Sequence, residues 1–596
     1  MAIVVNQTPV EMHRSENSRE GGMKSRELIE NATEKPETGE ERETQETSDP
    51  QYLSGLRLAS VMVGLMLSVF CLGLDRSILA TAIPKITTEF NSLNDISWYG
   101  SAYLITICCF QLMFGKLYAT FHIKTVFLCA LGSFEVGSIF CAAAPNSITL
   151  IIGRAIAGIG CAGVLCGGVV ILTVSLPLHK RPKYAGIFSA ASGVAQIIAP
   201  TLGGIFTDRA TWRWCFWINL PLGAVTAAVV LFLVKMPDRP ATEEGSQPDG
   251  QTSRVRSFFS KLDVMGTVLL MPFMVCLNLA LQWGGTTLPW SNWRVILCLS
   301  VFGVTFILWC YVQYSRGDQA TLPVRIIKQR SIASGVWFSF SHGALRSLII
   351  YYIPIWFQVV KDTNAEQSGI NFLAASIAMV VSVILTGQVT SRIGYYVPQM
   401  LCSTVIVSIA LGLIYRYNLD TTTAYWAGTL VMFGFGSGIG QQQPVTACQT
   451  VLKGRDIPLG TSAVLLSQTL GGAIFLAVGQ NVFQSRLVER LSQKVPDIDP
   501  TTVLKHGASG LKAAVTAQYG DASALAILAA YNDAIRRCFL ICVILSCLTI
   551  FGGLTMEWVS VKKPETDRQA ATPQLEQTGE QPKTKPDETK SEKNHA

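Results

Sequence analysis

The feature that most constrains this chain is the recurrence of apolar segments about 20 residues long, separated by short polar breaks. A helix of that length crosses the hydrocarbon core of a bilayer, where every backbone polar group must find its partner within the protein. The pattern therefore predicts an all-α polytopic membrane protein with about fourteen transmembrane helices. The predicted spans are residues 57–80, 98–118, 125–144, 147–171, 184–206, 214–234, 263–283, 293–313, 332–357, 369–390, 398–416, 424–448, 459–483 and 536–558.

The composition points to the same class of protein. Of the 596 residues, 49% are hydrophobic and only 15% are charged, which is too little charge to cover the surface of a soluble protein. Residues 1–56 and 559–596 are polar and predict disordered tails, and the first tail lacks the apolar core of a signal peptide. Loop lysines and arginines concentrate on the side of the N-terminal tail, so we expect both tails in the cytoplasm.

An internal repeat predicts that the chain is built from two related halves. The sequence TLGG at residues 201–204 recurs at 469–472, and Gly115 aligns with Gly387 at nearly the same offset. Both matches lie eight spans apart, so two extra spans separate two six-span halves. The predicted division is a tail at 1–56, an N-terminal half at 57–234, a linker with two inserted helices at 235–331, a C-terminal half at 332–558 with a long outer loop at 484–535, and a tail at 559–596.

The fifth predicted span carries a stripe of small residues and a proline. Its members recur at spacings of three, four and seven, so they lie on one face of a helix. They are Gly186, Ser189, Gly193, Pro200 and Gly204. A face without large side chains allows another helix to approach closely in lipid. The simplest interpretation is a helix-packing face, with Gly204 at a close contact.

The same stretch resembles the antiporter motif of the major facilitator superfamily. The matching residues are Gly186, Pro200, Gly203 and Gly204. Ala195 and Ala199 stand where the motif has two further glycines. The following sequence WRWCFWINLPLG, at residues 212–223, resembles the loop and next helix of that superfamily's fourteen-span drug:proton antiporters.

This resemblance implies two six-helix halves around a central cavity, with two helices inserted between them. It implies proton-coupled export of a small organic compound across the plasma membrane, as in fungal toxin and multidrug efflux pumps. The partners would be that compound, protons and the lipid bilayer. A vacuolar or other internal membrane, an uptake permease of the same fold, and a non-transporting membrane receptor are the alternatives.

Four charged residues fall inside predicted spans, where an ionisable group is costly and is usually functional. They are Asp75, Glu135, Arg154 and Arg346. Asp75 lies in a stretch that resembles the family's first-span motif, and Arg154 in one similar to the superfamily's fourth-span arginine motif, whose arginine is linked to proton transfer. We expect both to face the wet interior. Asp75 and Arg76 could instead lie at the outer interface, Arg154 could extend towards water, and Glu135 and Arg346 could form structural pairs.

By the repeat offset, Arg346 occupies in the second half the place that Asp75 occupies in the first. The sequence thus predicts opposite charges facing one central cavity.

Several glutamines bring amide groups into the spans, and buried amides need partners. The candidates for lining a substrate cavity are Gln111, Gln196, Gln442 and Gln468. Some of these side chains could instead join helices to one another. Gly115–Lys124 resembles the superfamily's loop motif but lacks its acidic residue, so we expect no acid-based latch there.

Other chemistries find no support in the sequence. There is no phosphate-binding G-K-[ST] loop, and the six histidines show no metal-ligand spacing. The cysteines lie in or beside apolar spans, as small apolar side chains do. We therefore expect a transporter that is not an enzyme, with no cofactor, no metal and no nucleic-acid partner.

Overall fold

The computed structural model describes residues 52–92, 95–234, 263–285, 288–495 and 521–562. Within these ranges the chain is almost entirely α-helical, and we number the helices in chain order. They are α1 Gly55–Phe90, α2 Ile96–Thr120, α3 Ile123–Ala142, α4 Ser147–Ser175, α5 Arg181–Arg209, α6 Trp214–Trp217, α7 Asn219–Leu233, α8 Val264–Trp283, α9 Trp293–Arg316, α10 Val324–Lys328, α11 Arg330–Val360, α12 Ala365–Ile393, α13 Val397–Tyr415, α14 Thr423–Gln441, α15 Gln443–Val451, α16 Asp456–Lys494 and α17 Asp521–Thr555.

Thirteen helical segments in the described ranges are long and apolar enough to cross a membrane. The remaining predicted span, 424–448, is divided between α14 and α15, with the break at Gln442. Pro444 opens α15, and a proline there cannot donate the backbone hydrogen bond that would continue α14. Glycines along α14 also lower its hydropathy. The all-α polytopic fold is confirmed.

The loop predicted at 484–535 is shorter than expected. Helix α16 continues to Lys494 and α17 begins at Asp521, so both ends of that loop are helical. Arg486 and Arg490 of α16 both donate to the Asp533 carboxylate of α17, at 3.1 and 2.8 Å. These ion pairs hold the two extensions together, because polar helix beyond the membrane gains stability from charges on its neighbour. Residues 496–520, within the predicted loop, lie outside the described part of the chain, as do tail residues 1–51 and 563–596.

We refer to helices α1–α7 and α11–α17 as the two halves that the internal repeat predicts. We call the end of the bundle where α1, α5, α11 and α16 begin the inner end, which is the predicted cytoplasmic side, and the opposite end the outer end. At the inner end, α5 packs on α12, where a Cβ at Gly387 would lie 2.5 Å from the Pro182 carbonyl oxygen. Similarly, α2 packs on α16, where Gly115 faces Ser462. Small residues thus let the halves close on each other at this end.

The inserted helices α8 and α9 pack side by side against the bundle. Phe273 of α8 stacks on Phe302 and Phe306 of α9, with ring centroids 5.1 and 5.3 Å apart. At the start of α8 the buried Asp263 carboxylate accepts hydrogen bonds from Gln313 and from the Thr321 backbone and hydroxyl. This network fixes the inner ends of the two inserted helices to each other.

Candidate functional site

Two of the predicted charges meet in a buried ion pair between α1 and α4. Arg154 Nη1 lies 2.7 Å from Asp75 Oδ2, and both side chains are at most 2% exposed. Arg154 Nε donates to the Tyr99 carbonyl oxygen at 3.1 Å, and its guanidinium lies 4.2 Å from the centre of the Tyr103 ring. The expectation that Asp75 and Arg154 face the wet interior is therefore wrong in this conformation, because the aromatic side of α2 covers them.

The ion pair leaves one acceptor unused. Asp75 Oδ1 is buried and has no hydrogen-bond partner among the described residues. A buried carboxylate oxygen normally has a donor, so the pairing of Asp75 with Arg154 leaves this oxygen without its usual hydrogen bond.

Glu135 of α3 lies in the same region and is also without a partner. Both of its carboxylate oxygens are buried and make no hydrogen bond within the described ranges. It lies close enough to Asp75 for the two carboxylates to repel each other. Gly223 of α7 provides the space, since a Cβ at that position would overlap Glu135 Oε1. The structure thus brings Asp75, Glu135 and Arg154 together in one half.

Arg346 lies apart from this group, on α11 in the other half. Its Nε is buried without a hydrogen-bond partner in the described part of the chain. His342, one turn earlier, contacts the Ser437 hydroxyl of α14 at 3.2 Å. The predicted pair of opposite charges facing one cavity is wrong in this conformation, because Asp75 is buried against Arg154.

The residue that faces the interior from α1 is Arg76, which sequence reasoning considered only as a neighbour of Asp75. Val69 and Leu72, seven and four residues earlier on the same stripe, are buried in the core. The exposed Val63 marks the opposite side of the helix. Arg76 is nevertheless exposed, so space open to water lies on the interior side of α1. The spacing of four and seven residues from Leu72 and Val69 is the sequence signal that could have placed Arg76 on the interior side of α1.

The interior side of α5, like that of α1, changes from buried near the inner end to exposed further along the helix. Ala185, near the inner end, is buried, whereas Gln196 is half-buried and Pro200 is exposed. Val194 and Ile198, both exposed, lie on the other side of α5. Interior faces that are buried at the inner end and exposed further out describe a cavity that opens towards the outer end.

The four candidate glutamines fall in different environments. Gln196 lines the interior side of α5 and donates to the Ser192 carbonyl oxygen at 3.2 Å. Gln468 is half-buried where α16 contacts α11, and Gln442 is half-buried at the break before α15. Gln111 is buried and donates to the Ala162 carbonyl oxygen at 3.4 Å. Gln111 therefore joins α2 to α4 and does not line a cavity in this conformation.

The small-residue stripe of α5 serves two neighbours. Gly186 faces α12, where a Cβ would lie 2.7 Å from the Val383 carbonyl oxygen. Gly203 faces α1, where a Cβ would overlap Thr81 Oγ1 and lie 2.8 Å from an Ile78 carbon.

Two positions of the stripe differ from expectation. A Cβ at Gly204 would meet no atom within 4 Å among the described residues, so the close contact predicted there is wrong. Ala195 packs against Gly73 of α1, where a Cβ would lie 2.8 Å from the alanine methyl. The glycine that allows this close approach therefore stands on the facing helix.

At the inner end, charged side chains connect α2 to α16 through the end of the linker that precedes α11. Arg325 of α10 binds Asp456 at the start of α16 through two parallel hydrogen bonds of 2.6 and 2.8 Å, and it also binds Asp318. Lys116 at the end of α2 donates to the Asp318 carbonyl oxygen at 3.1 Å. These hydrogen bonds raise the pKa of Arg325 above its usual range. We call this group the inner latch; it stands near the loop motif whose acid is missing.

Comparison with known proteins places this chain in a family. The family model of the Major Facilitator Superfamily matches residues 65–476. The chain is 45% identical over 520 residues to the "MFS-type efflux pump MFS1" of Arthroderma benhamiae, covering 87% of this chain and 95% of that protein. It is 45% identical to the "MFS-type transporter astH" of Aspergillus oryzae, covering 87% and 89%. It is 43% identical to the "Efflux pump aflT" of Aspergillus parasiticus, covering 86% and 98%.

The matched range, residues 65–476, spans most of both predicted halves and contains the positions of the ion pair, the α5 stripe and Arg346. The expected resemblance is therefore confirmed, and this chain belongs to the Major Facilitator Superfamily as a multi-pass membrane transporter.

Proposed function

We propose that this transporter exports a small organic compound from the cytoplasm in exchange for protons, by alternating access between its two halves. The names of the relatives that match along nearly their whole length support export. The observation that carries the coupling to protons is the group of Asp75, Glu135 and Arg154, in which Asp75 pairs with a buried arginine and a second carboxylate without a partner in the described ranges lies near Asp75.

Two carboxylates and one guanidinium carry a surplus negative charge when both acids are ionised. Keeping an unpaired charge in this apolar surrounding is costly, so the group is more stable with one proton bound. The proton would reside on Glu135 while Asp75 is paired with Arg154 at 2.7 Å. Separation of α1 from α4 would lengthen that pair and change the group's affinity for the proton.

Alternating access then links this change to the compound. In the present conformation the inner latch is closed and the interior faces of α1 and α5 are open towards the outer end. Protonation from the outer side would favour the opposite conformation, in which the compound enters from the cytoplasm. The two states would differ in proton occupancy, which is what coupling requires.

We propose that both tails lie in the cytoplasm, that residues 57–234 and 332–558 move as the two halves, and that the plasma membrane is the site of action. The concentration of positive loop residues on the inner side supports this orientation. The proposed role is transport without chemical change of the compound.

The direction of coupled flux tests the proposal. The full chain is reconstituted in liposomes with an acidic interior and an alkaline exterior, and uptake of a panel of radiolabelled fungal secondary metabolites is measured. An antiporter accumulates a transported compound inside as protons leave, whichever way the protein is inserted. A proton-coupled uptake permease would deplete the compound, and a receptor would do neither. Protein-free liposomes and a protonophore provide the controls.

A further inference from the structure

The two interior arginines belong to opposite halves and occupy equivalent places in them. Arg76 and Arg346 are 270 positions apart, between the offsets of 268 and 272 that relate the repeats at 201–204 and at Gly115. Each lies near the middle of the first helix of its half, α1 or α11. The duplicated fold therefore presents the same chemical group from both sides of the cavity.

The helical spacing of Arg346 from buried residues on its stripe shows that it faces the interior, as it does for Arg76. His342 and Ser339, four and seven residues earlier on its stripe, are buried. Trp337 and Tyr351, on the opposite side of α11, are exposed. The partial exposure of Arg346 is therefore exposure to the cavity between the halves.

Neither guanidinium group has a counter-ion in the part of the chain that the structure describes. Neither arginine forms an ion pair among the described residues, although ion pairs are found at both ends of the bundle. The carboxylate nearest in sequence, Asp75, is engaged by Arg154 at 2.7 Å. Arg76 and Arg346 are also close enough for their charges to repel each other.

Two unpaired like charges inside a membrane protein are costly without a compensating group. A planar guanidinium binds an acidic group through parallel hydrogen bonds. We propose that Arg76 and Arg346 bind an acidic group of the transported compound, so that the substrates are organic anions such as carboxylates or enolates. This inference rests on the proposed function, since it names the chemical class of the cargo.

The arrangement also explains how binding would favour transport. Closure of the outer end brings α1 and α11 together, and with them the two positive charges. A bound anion replaces their repulsion by two attractions, so the loaded protein closes more readily than the empty one. This difference would suppress movement of the protein without cargo.

The claim that Arg76 and Arg346 give the cavity a positive charge is tested without any substrate. Gln196→Cys places a thiol on the interior side of α5, and Thr422→Cys places one on the exposed outer surface as a reference. The full chain is treated with methanethiosulfonates that carry a sulfonate or a trimethylammonium group, and peptide mass spectrometry gives the rate at each position. We expect the anionic reagent to be favoured at position 196 by about tenfold relative to position 422.

Arginine substitutions then identify the source of that preference. Arg76→Gln and Arg346→Gln should each reduce the preference, and the double variant should abolish it. Arg76→Lys should retain it, and Arg294→Gln, which removes an exposed outer charge on α9, should leave it unchanged. Equal rates at both positions, an unchanged preference in the double variant, or no labelling at position 196 would overturn the proposal.

The ligand class is tested with a matched pair of probes. We expect 1-naphthoate to protect position 196 from labelling at about one-tenth of the concentration that 1-naphthamide requires, because only the naphthoate carries the charge. The double glutamine variant should lose this difference. Equal protection by both probes, including none by either, would contradict an anionic cargo. Protection by sodium sulfate at the naphthoate concentration would assign the site to inorganic anions instead.

These experiments separate the inference from the function on which it rests. Labelling and protection require no flux, so their failure would leave proton-coupled export standing. If the charge preference and naphthoate protection were found but no compound accumulated in acidic liposomes, the proposed function would be wrong instead.

Discussion

At the scale of single residues, Asp75→Asn removes the charge that compensates a buried arginine. Leaving one member of a buried ion pair alone costs about 3–5 kcal/mol, and the asparagine oxygen recovers part of that by accepting from Arg154. We expect a lower melting temperature and loss of gradient-driven transport, with residual passive exchange. Calorimetry and liposome flux measure the two effects.

The matched control is Asp208→Asn, which breaks an exposed ion pair with Lys85. Exposed pairs contribute about 0–1 kcal/mol, so this variant should behave as the unmodified chain does. Full gradient-driven transport by Asp75→Asn would remove the α1–α4 pair from the mechanism.

Glu135 can be tested through the glycine that makes room for it. Gly223→Ala would place a methyl group on Glu135 Oε1 and displace the carboxylate from its position beside α7. We expect about 1–3 kcal/mol of destabilisation and impaired coupling. Gly132→Ala on α3, where an added Cβ meets open space, is the control and should retain both stability and flux. Normal coupling in Gly223→Ala would show that the position of Glu135 is unimportant.

Sequence reasoning found the charged residues but did not pair them. An ionisable group within an apolar span is visible in the sequence because it interrupts the apolar run, whatever its partner is. Whether Asp75 meets Arg154 or a cavity depends on the rotation of α1 and on Tyr99 and Tyr103 of α2, which no local pattern specifies. Arg76 could have been placed from the sequence, since its spacing from Val69 and Leu72 puts it on the interior side of α1. It was not predicted because the functional role was assigned to the adjacent Asp75.

At the scale of helices, two adjacent glycines of α5 should respond in opposite ways. Gly203→Ala would wedge α5 from α1 at Thr81, whereas Gly204→Ala would enter open space. We expect the first to lose about 1–3 kcal/mol and most transport, and the second to be tolerated. The melting temperatures and transport rates of the two variants test this difference. Equal effects would mean that α5 is rotated from its place in this structure.

The inner latch makes a second prediction at this scale. Arg325→Ala removes the two hydrogen bonds to Asp456 and the bond to Asp318, so the halves should separate more often at the inner end. The buried thiol of Cys166, 4.0 Å from the Pro458 carbonyl oxygen, should then react faster with N-ethylmaleimide. Surface pairs are weak, so we expect an increase of about fivefold at most.

Arg213→Ala, which breaks the Arg213–Glu89 pair at the outer end, is the control for the latch. It should leave the reactivity of Cys166 unchanged. An identical Cys166 rate in Arg325→Ala would show that packing of α2 on α16 and of α5 on α12 closes the inner end without the latch.

At the scale of the whole molecule, the helical membrane fold and most of the spans could be predicted, because hydropathy is a property of the chain itself. The division into two halves stays a prediction from the repeats. The interruption of the span at 424–448 and the helical extensions at 484–494 and 521–535 could not be predicted. They depend on Pro444 beside a glycine-rich helix and on ion pairs formed between α16 and α17. The closure of the inner end could not be predicted either, because it depends on contacts between residues far apart in sequence.

The central claim is that the compound and the proton move in opposite directions through one protein. The most direct measurement loads liposomes containing the full chain with a transported compound, sets equal pH on both sides, and follows internal pH with a trapped dye. Outflow of the compound should acidify the interior, and Asp75→Asn should abolish this acidification. Outflow through the native chain with no pH change, or with internal alkalinisation, would contradict the account.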